Sequence, residues 1–239
     1  TLDLNAGQVL GAGRNGQPFF PKFGRTVQTA LLTPVGRNQF DSLQTRLQRR
    51  FGSGVHLNAG YTFSKAIGIC CDELSDSLPA IQIPQFIRLA RALEPFDRPH
   101  NFNMTVVAEL PFGKGKRWAK DGALALLAGG WSVNGLLTSY SGRPFSVSAS
   151  DASLNAPGNT QRANQVKPKV EILGGIGPSS PYFDPLAFAP VTTATFGTVG
   201  YNTLRGPSAT NLDLGLFRAF NVTEQWKVEF RAEALNFTN

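Results

Sequence analysis

Residues 40–67 read FDSLQTRLQRRF, GSG, VHLNAGYTFSKAI: two runs of alternating apolar and polar residues joined only by Gly52-Ser53-Gly54. In the first run Leu43, Thr45 and Leu47 share one parity, and Ser42, Gln44, Arg46, Gln48 and Arg50 the other. In the second, Val55, Leu57, Ala59, Tyr61 and Phe63 alternate with His56, Asn58, Gly60, Thr62 and Ser64. Successive side chains of a strand point to opposite faces, so the pattern predicts a β-hairpin with one apolar and one polar face. Strands of ordinary domains run about 5–6 residues. These runs are about twice as long, near the ~9–11 residues a tilted strand needs to cross a bilayer.

The signature recurs. Phe102, Met104, Val106, Ala108 and Leu110 alternate with Asn101, Asn103, Thr105 and Glu109. Trp131, Val133, Gly135 and Leu137 alternate less cleanly with Ser132, Asn134 and Thr138, and Leu212, Leu214 and Leu216 with Asn211, Asp213 and Gly215. In the clearest run, Trp226, Val228, Phe230, Ala232 and Ala234 back onto Lys227, Glu229, Arg231 and Glu233. The connections sort as well. Gly52–Gly54 and Asn221–Gln225 are tight, 112–129 is intermediate, and about 68–98 and 142–209 are long. Tight and long connections alternate, which predicts strands running up and down through one layer, with short turns on one side and long loops on the other. Outer-membrane barrels are built this way. Aromatic residues gather near the strand ends, at Phe40, Phe51, Trp131, Tyr140, Phe217, Phe220, Trp226 and Phe237, where a membrane interface favours them. The apolar window 123–137 is broken by Gly129-Gly130 and is too short for a spanning helix. A membrane chain without such a helix must be a closed barrel.

The composition suits that class. Of 239 residues only 16% are charged, with 25 Gly and 16 Pro, against about 25% charged in soluble domains. The chain starts at Thr1, shows no targeting segment, and ends at Asn239 directly after a strand pattern, so we expect a piece of a longer protein. The net charge of +7 comes from Lys and Arg scattered over loops and polar rows, with one cluster at Lys114, Lys116, Arg117 and Lys120. No exposed aromatic stack accompanies it, so nucleic acid is not an expected partner. The adjacent Cys70 and Cys71 are too close for an ordinary disulfide, and two free thiols are the simpler reading. Gly11-Ala12-Gly13-Arg14-Asn15-Gly16 fits GxGxxG, but Pro18 and Pro21 follow where a phosphate-binding helix would have to start. Gly113-Lys114-Gly115-Lys116-Arg117 lacks the spacing of a phosphate loop. Glu229 and Glu233 are interleaved with Lys227 and Arg231, a charge-balanced row rather than an acid/base pair. The sequons at Asn103, Asn221 and Asn236 are chance matches. No catalytic, cofactor or metal residues are expected.

Longer motifs carry a resemblance. Residues 40–68, the passage Phe96-Asp97-Arg98-Pro99-His100-Asn101-Phe102, and Glu109-Leu110-Pro111-Phe112-Gly113-Lys114-Gly115-Lys116-Arg117-Trp118 resemble Oar-like TonB-dependent outer-membrane receptors of the acidobacterial type. So do Gly129-Gly130-Trp131 through Ser141-Gly142-Arg143-Pro144-Phe145, the stretch from Phe196-Gly197 to Leu204-Arg205-Gly206-Pro207, Asn211-Leu212-Asp213-Leu214, and the ending 230–239. The resemblance covers nearly the whole chain, more weakly before Phe23. It implies one domain over 1–239, part of an all-β, antiparallel up-and-down barrel of about 22 strands. It also implies a regulatory-like domain, a plug and a final strand elsewhere in the protein, with the plug contacting TonB.

The expected function is binding and energised uptake of a bulky solute across the outer membrane of a Gram-negative bacterium. The expected partners are outer-membrane lipid, the protein's own plug, TonB and the solute. Gln44, Arg46, Gln48, Arg50, Asn58, Asn103, Lys227, Glu229, Arg231 and Glu233 are expected to face the lumen. Leu43, Leu47, Leu57, Phe63, Val106, Leu214, Val228 and Phe230 are expected to face lipid. The alternative is a secreted β-sandwich binding or adhesion module, in which Leu43, Val106, Leu214 and Phe230 would be buried against one another.

Overall fold

The computed structural model describes residues 2–32, 34, 36–52, 54–69, 80–221 and 225–238. Cys70 and Cys71 lie outside them. Six long strands run in one sheet: β1 (Gln39–Phe51), β2 (Val55–Ile69), β3 (His100–Glu109), β4 (Trp131–Tyr140), β5 (Ala209–Asn221) and β6 (Lys227–Ala234). Each lies beside its chain neighbours in the order β1 to β6, and the short strand Arg91–Leu93 joins the far end of β2. The pairings from β2 through β6 are antiparallel. This is the meander that tight turns impose.

The register sorts the strand ends. Phe63 stands opposite His100, Asn101 opposite Tyr140, and Tyr140 opposite Ala209, all at one end of the sheet. Val55 opposite Ala108, Glu109 opposite Ser132, and Trp131 opposite Arg218 mark the other. The long connections leave from the first end and the short ones from the second, as the loop lengths predict. β5 is longer than the alternation suggested. Arg218 and Ala219 interrupt its apolar and polar rows, yet it pairs with β4 as far as Arg218 and with β6 on through Asn221. The intermediate connection contains a helix, Gly122–Ala128, ended by Gly129 and the left-handed Gly130. Among the described residues no helix is long and apolar enough to cross a membrane. Gly13–Gly16 makes a single 3-10 turn, so the GxGxxG match opens no phosphate-binding helix.

The chain divides into two compact units. One comprises residues 42–64, 99–141 and 208–239: the strands and the β3–β4 connection. Its apolar face forms no interior. Leu43 is 61% exposed and Phe230 47%, while Val106 and Leu214 are half-buried. The mutual burial a β-sandwich requires is absent.

The other unit comprises residues 1–41, 65–98 and 142–207. The described parts of the long connections pack there around a small core of Ile81, Ile83 and Ala90, with Leu10, Phe86, Phe196 and Tyr201 against it. Two-residue strands pair Leu2–Asp3 with Ala30–Leu31, Pro144–Phe145 with Leu204–Arg205, and Asn164–Gln165 with Phe188–Ala189. Buried amides substitute for longer ladders. Asn159 accepts from the Gln82 amide N–H at 2.7 Å and donates to the Gly7 carbonyl at 2.9 Å. Asn5 donates to the Arg25 and Val27 carbonyls and accepts from Phe19 N–H. Gln161 donates to Thr195 and accepts from Gly197 N–H. Such groups must be satisfied when buried, so each fixes one loop against another.

Asp97 closes this network. Its side chain is 1% exposed and pairs with Arg205. Its Oδ1 accepts from Ala66 N–H, and Arg205 also donates to the carbonyls of Asp97 and Gly142. Removing one partner of a buried pair strands the other charge. Arg205→Met is therefore expected to lower stability by about 3–5 kcal/mol, measured by denaturant unfolding of the refolded protein. A loss under about 1 kcal/mol, the ordinary worth of an exposed pair, contradicts this account of Asp97.

Candidate functional site

The register brings the side chains of the sheet into two sets. One row across the first face is Asn58, Thr105, Leu136 and Asp213, and the next is His56, Val107, Asn134, Gly215 and Glu233. Asn103 stands opposite Gly60, Arg231 opposite Phe217, Glu229 opposite Ala219, and Lys227 opposite Asn221. β1 joins the same face: Arg46 Nε donates to Asn58 Oδ1 at 2.9 Å, and shallow hollows are lined by Gln44, Arg46, Asn58 and Asn103, and by Gln48, Arg50, His56 and Val107. All ten residues expected to share the polar row lie on this face.

The second face carries Leu57, Val106, Gly135, Leu214 and Ala234 in one row, then Val55, Ala108, Val133, Leu216 and Ala232 in the next. Phe63 stands opposite His100, Val228 opposite Phe220, and Phe230 opposite Arg218. Leu43 and Leu47 share the parity opposite to Arg46. All eight residues expected to share the apolar row lie here. The turn end of this face bears Phe51, Trp131 and Phe220, and the loop end Tyr61, Phe63 and Phe102.

The polar face is cross-linked by short contacts. Arg231 Nε donates to Glu229 at 2.9 Å and its guanidinium lies 5.8 Å from the Phe217 ring centroid. Asn211 donates to Asp213 Oδ1 at 2.9 Å, and the same oxygen accepts from Asn236 N–H at 2.7 Å. The Phe217 ring covers Gly215, where a Cβ would sit 2.4 Å from the ring edge. An aromatic over a strand glycine shields bare backbone.

Several residues escaped the sequence reading. Val107, Leu136 and Phe217 are apolar members of the polar face. Arg218 is the reverse, a cation in the apolar row, 4.3 Å from the Phe220 ring centroid and 5.3 Å from that of Trp131. Its guanidinium donates to the Leu126 and Leu127 carbonyls. Trp131 Nε1 donates to the Leu127 carbonyl at 3.1 Å. Extending the Leu212, Leu214, Leu216 parity by one step was the available signal.

A continuous sheet with one polar and one apolar face, long connections leaving from one end and short ones from the other, has the build of a barrel wall. A family model described as an outer membrane beta barrel domain matches residues 2–239. The chain belongs to that family. No curated protein and no solved structure matches it. The outer membrane β-barrel domain assigns the protein to the outer membrane of a Gram-negative bacterium.

The long connections of this β-barrel domain carry several perturbed charges. Arg162 is 6% exposed. It donates to the Leu89 carbonyl at 3.2 Å, stacks 5.2 Å from the Tyr201 ring centroid, and its Nε has no hydrogen-bond partner. Burial lowers its pKa and raises that of Tyr201, whose hydroxyl meets Thr160 Oγ1 at 2.8 Å. The hydrogen bond from Lys167, 2.5 Å away, holds the Asp184 carboxyl below its ordinary range. Glu94 is 3% exposed, and burial raises its carboxyl above the ordinary value of 4.5. A carboxyl raised by folding binds its proton more tightly in the native state. Its stabilising contribution is complete below pH 4.5 and is lost as pH rises through the folded value. Glu94→Gln, which cannot ionise, is expected to remove that pH dependence, so its stability relative to the native protein rises between acid and neutral pH. Parallel stability curves for the two proteins from pH 4 to 8 contradict it.

Proposed function

We propose that this domain is part of the wall of an Oar-like TonB-dependent receptor that binds a bulky solute at the cell surface and admits it by energised uptake. The observation that carries this reading is the sorted sheet: six strands in chain order, two chemically opposite faces, and every long connection at one end. In this reading Gln44, Arg46, Gln48, Arg50, Asn58, Asn103, Lys227, Glu229, Arg231 and Glu233 line the lumen against the protein's own plug. Leu43, Leu47, Leu57, Phe63, Val106, Leu214, Val228 and Phe230 meet lipid. The aromatic rows support that direction. Phe102 stands opposite Ser139, eight residues along β4 from Trp131, about 26 Å along the strand at ~3.3 Å per residue. At the ~35–45° tilt of barrel strands this spans about 20 Å of membrane height, most of the ~25 Å apolar band between barrel girdles.

The open edges, β1 and β6, are completed by the other strands of a barrel of about 22. Bare ladder groups in hydrocarbon admit no other solution. The long connections, about 68–98 and 142–209, present the ligand-contacting surface outside the membrane. TonB acts through the plug, and the work of the protein is recognition and passage, with no bond chemistry.

Two measurements on the full-length protein test this. A cation at the middle of the apolar row meets hydrocarbon, and one on the polar row meets water. Leu214→Arg is expected to destabilise the refolded barrel by about 2–4 kcal/mol, and Asn134→Arg far less; equal costs overturn the assignment of faces. In cells, cross-linking is expected to trap the receptor with TonB. A folded, surface-exposed receptor that never reaches TonB refutes the energised-uptake reading while leaving the barrel intact.

A further inference from the structure

The connection between β3 and β4 has a composition and a placement that transport does not require. Residues 111–130 hold Lys114, Lys116, Arg117 and Lys120 against a single acid, Asp121. A tight loop closed by a parallel bridge between Phe112 and Trp118 carries the first basic residues: Trp118 N–H donates to the Pro111 carbonyl at 3.0 Å, Gly113 N–H donates to the Trp118 carbonyl at 3.0 Å, and the Phe112 and Trp118 rings meet at 5.7 Å. Lys116 is occupied by Glu109 at 2.6 Å, whereas Lys114, Arg117 and Lys120 are exposed. The helix Gly122–Ala128 follows, and its apolar side chains are not packed away. Leu124 is 69% exposed, Leu126 75% and Leu127 68%, and Trp118 of the preceding loop is 51% exposed.

Two features fix where this helix sits. Its last carbonyls, at Leu126 and Leu127, accept from Arg218, and Arg218 belongs to the apolar face, between the rings of Trp131 and Phe220. The chain also crosses itself tightly there. A Cβ on Gly113 would lie 2.6 Å from Gly129 Cα, and one on Gly129 would lie 2.5 Å from the Ala125 carbonyl oxygen, so both positions need glycine. The helix is therefore held on the apolar side of the turn end, beside the aromatic row, with its leucines outward. An arginine on a lipid-facing strand is least costly near an interface, and here its donors are satisfied by the helix it holds.

We infer that residues 111–130 form an interfacial anchor: Leu124, Leu126 and Leu127 enter the acyl chains of the leaflet at the turn end, and Lys114, Arg117 and Lys120 bind the phosphates of anionic phospholipids. Apolar area and basic charge together are what hold short peripheral helices at a bilayer surface. The inference rests on the apolar face meeting lipid.

The test places an environment-sensitive nitrobenzoxadiazole label at Leu126→Cys in the full-length protein, with Cys70→Ser and Cys71→Ser, reconstituted in nanodiscs of phosphatidylethanolamine and phosphatidylglycerol. One lipid at a time carries brominated acyl chains. Emission is expected to be blue-shifted and quenched, more strongly by brominated phosphatidylglycerol than by brominated phosphatidylethanolamine at equal mole fraction. Replacing Lys114, Arg117 and Lys120 by Ser is expected to lower that preference by about fivefold or more. A label at Leu214→Cys separates the two readings. Quenching at Leu214 without quenching at Leu126 overturns the anchor alone, and so does equal quenching of the Leu126 label by the two lipids or an unchanged preference in the triple variant. Quenching at neither site overturns the lipid-facing assignment and the anchor with it.

Discussion

Everything in the wall depends on one constraint: a backbone inside hydrocarbon must hydrogen-bond to itself, and for strands that means an unbroken ladder with a fixed register. Because the side-chain period is two, the register decides at one stroke which residues share a face, and a slip of one residue exchanges the faces entirely. The pairing Leu57, Val106, Gly135, Leu214, Ala234 and its polar neighbour Asn58, Thr105, Leu136, Asp213 show the result across five strands and four. The ladder also explains why β5 persists through Arg218 and Ala219, where hydrophobic patterning gives out. Pairing with β4 as far as Arg218 and with β6 through Asn221 outweighs the local break in pattern.

The two compact units are stabilised by different physics. The sheet has almost no interior of its own and buries its backbone in the ladder, leaving Leu43, Leu47 and Phe230 outward. The unit built from the long connections has an interior, but a small one around Ile81 and Ile83. It is held by amides such as Asn5, Asn159 and Gln161, and by the Asp97–Arg205 pair. Long surface connections usually vary and move. Here satisfied polar groups hold their described parts in one arrangement.

That difference decides what could be read from the residues alone. β2, β3 and β6 were legible because their alternation is nearly complete, from Val55 to Phe63, Phe102 to Ala108 and Val228 to Ala234. The sharing of faces followed from parity. Arg218 and Phe217 were hidden because each contradicts the chemistry of its row, and each is tolerated for a local reason: carbonyls and rings around Arg218, a bare glycine under Phe217. The helix Gly122–Ala128 was visible only as a short apolar stretch, since seven residues carry too little periodicity to separate helix from strand. The amide network was not legible at all. Hydrogen bonds between residues as distant as Gly7 and Asn159 leave no periodic trace.

The central claim is that the two faces of this sheet meet two different solvents. A nitroxide scan of residues 101–108 in the full-length protein, reconstituted in lipid, tests it most directly through collision rates with oxygen and with a water-soluble nickel chelate. The account predicts two oscillations of period two in opposite phase, oxygen highest at Phe102, Met104, Val106 and Ala108 and the chelate highest at Asn101, Asn103, Thr105 and Val107. Oscillations in the same phase, or none, contradict it.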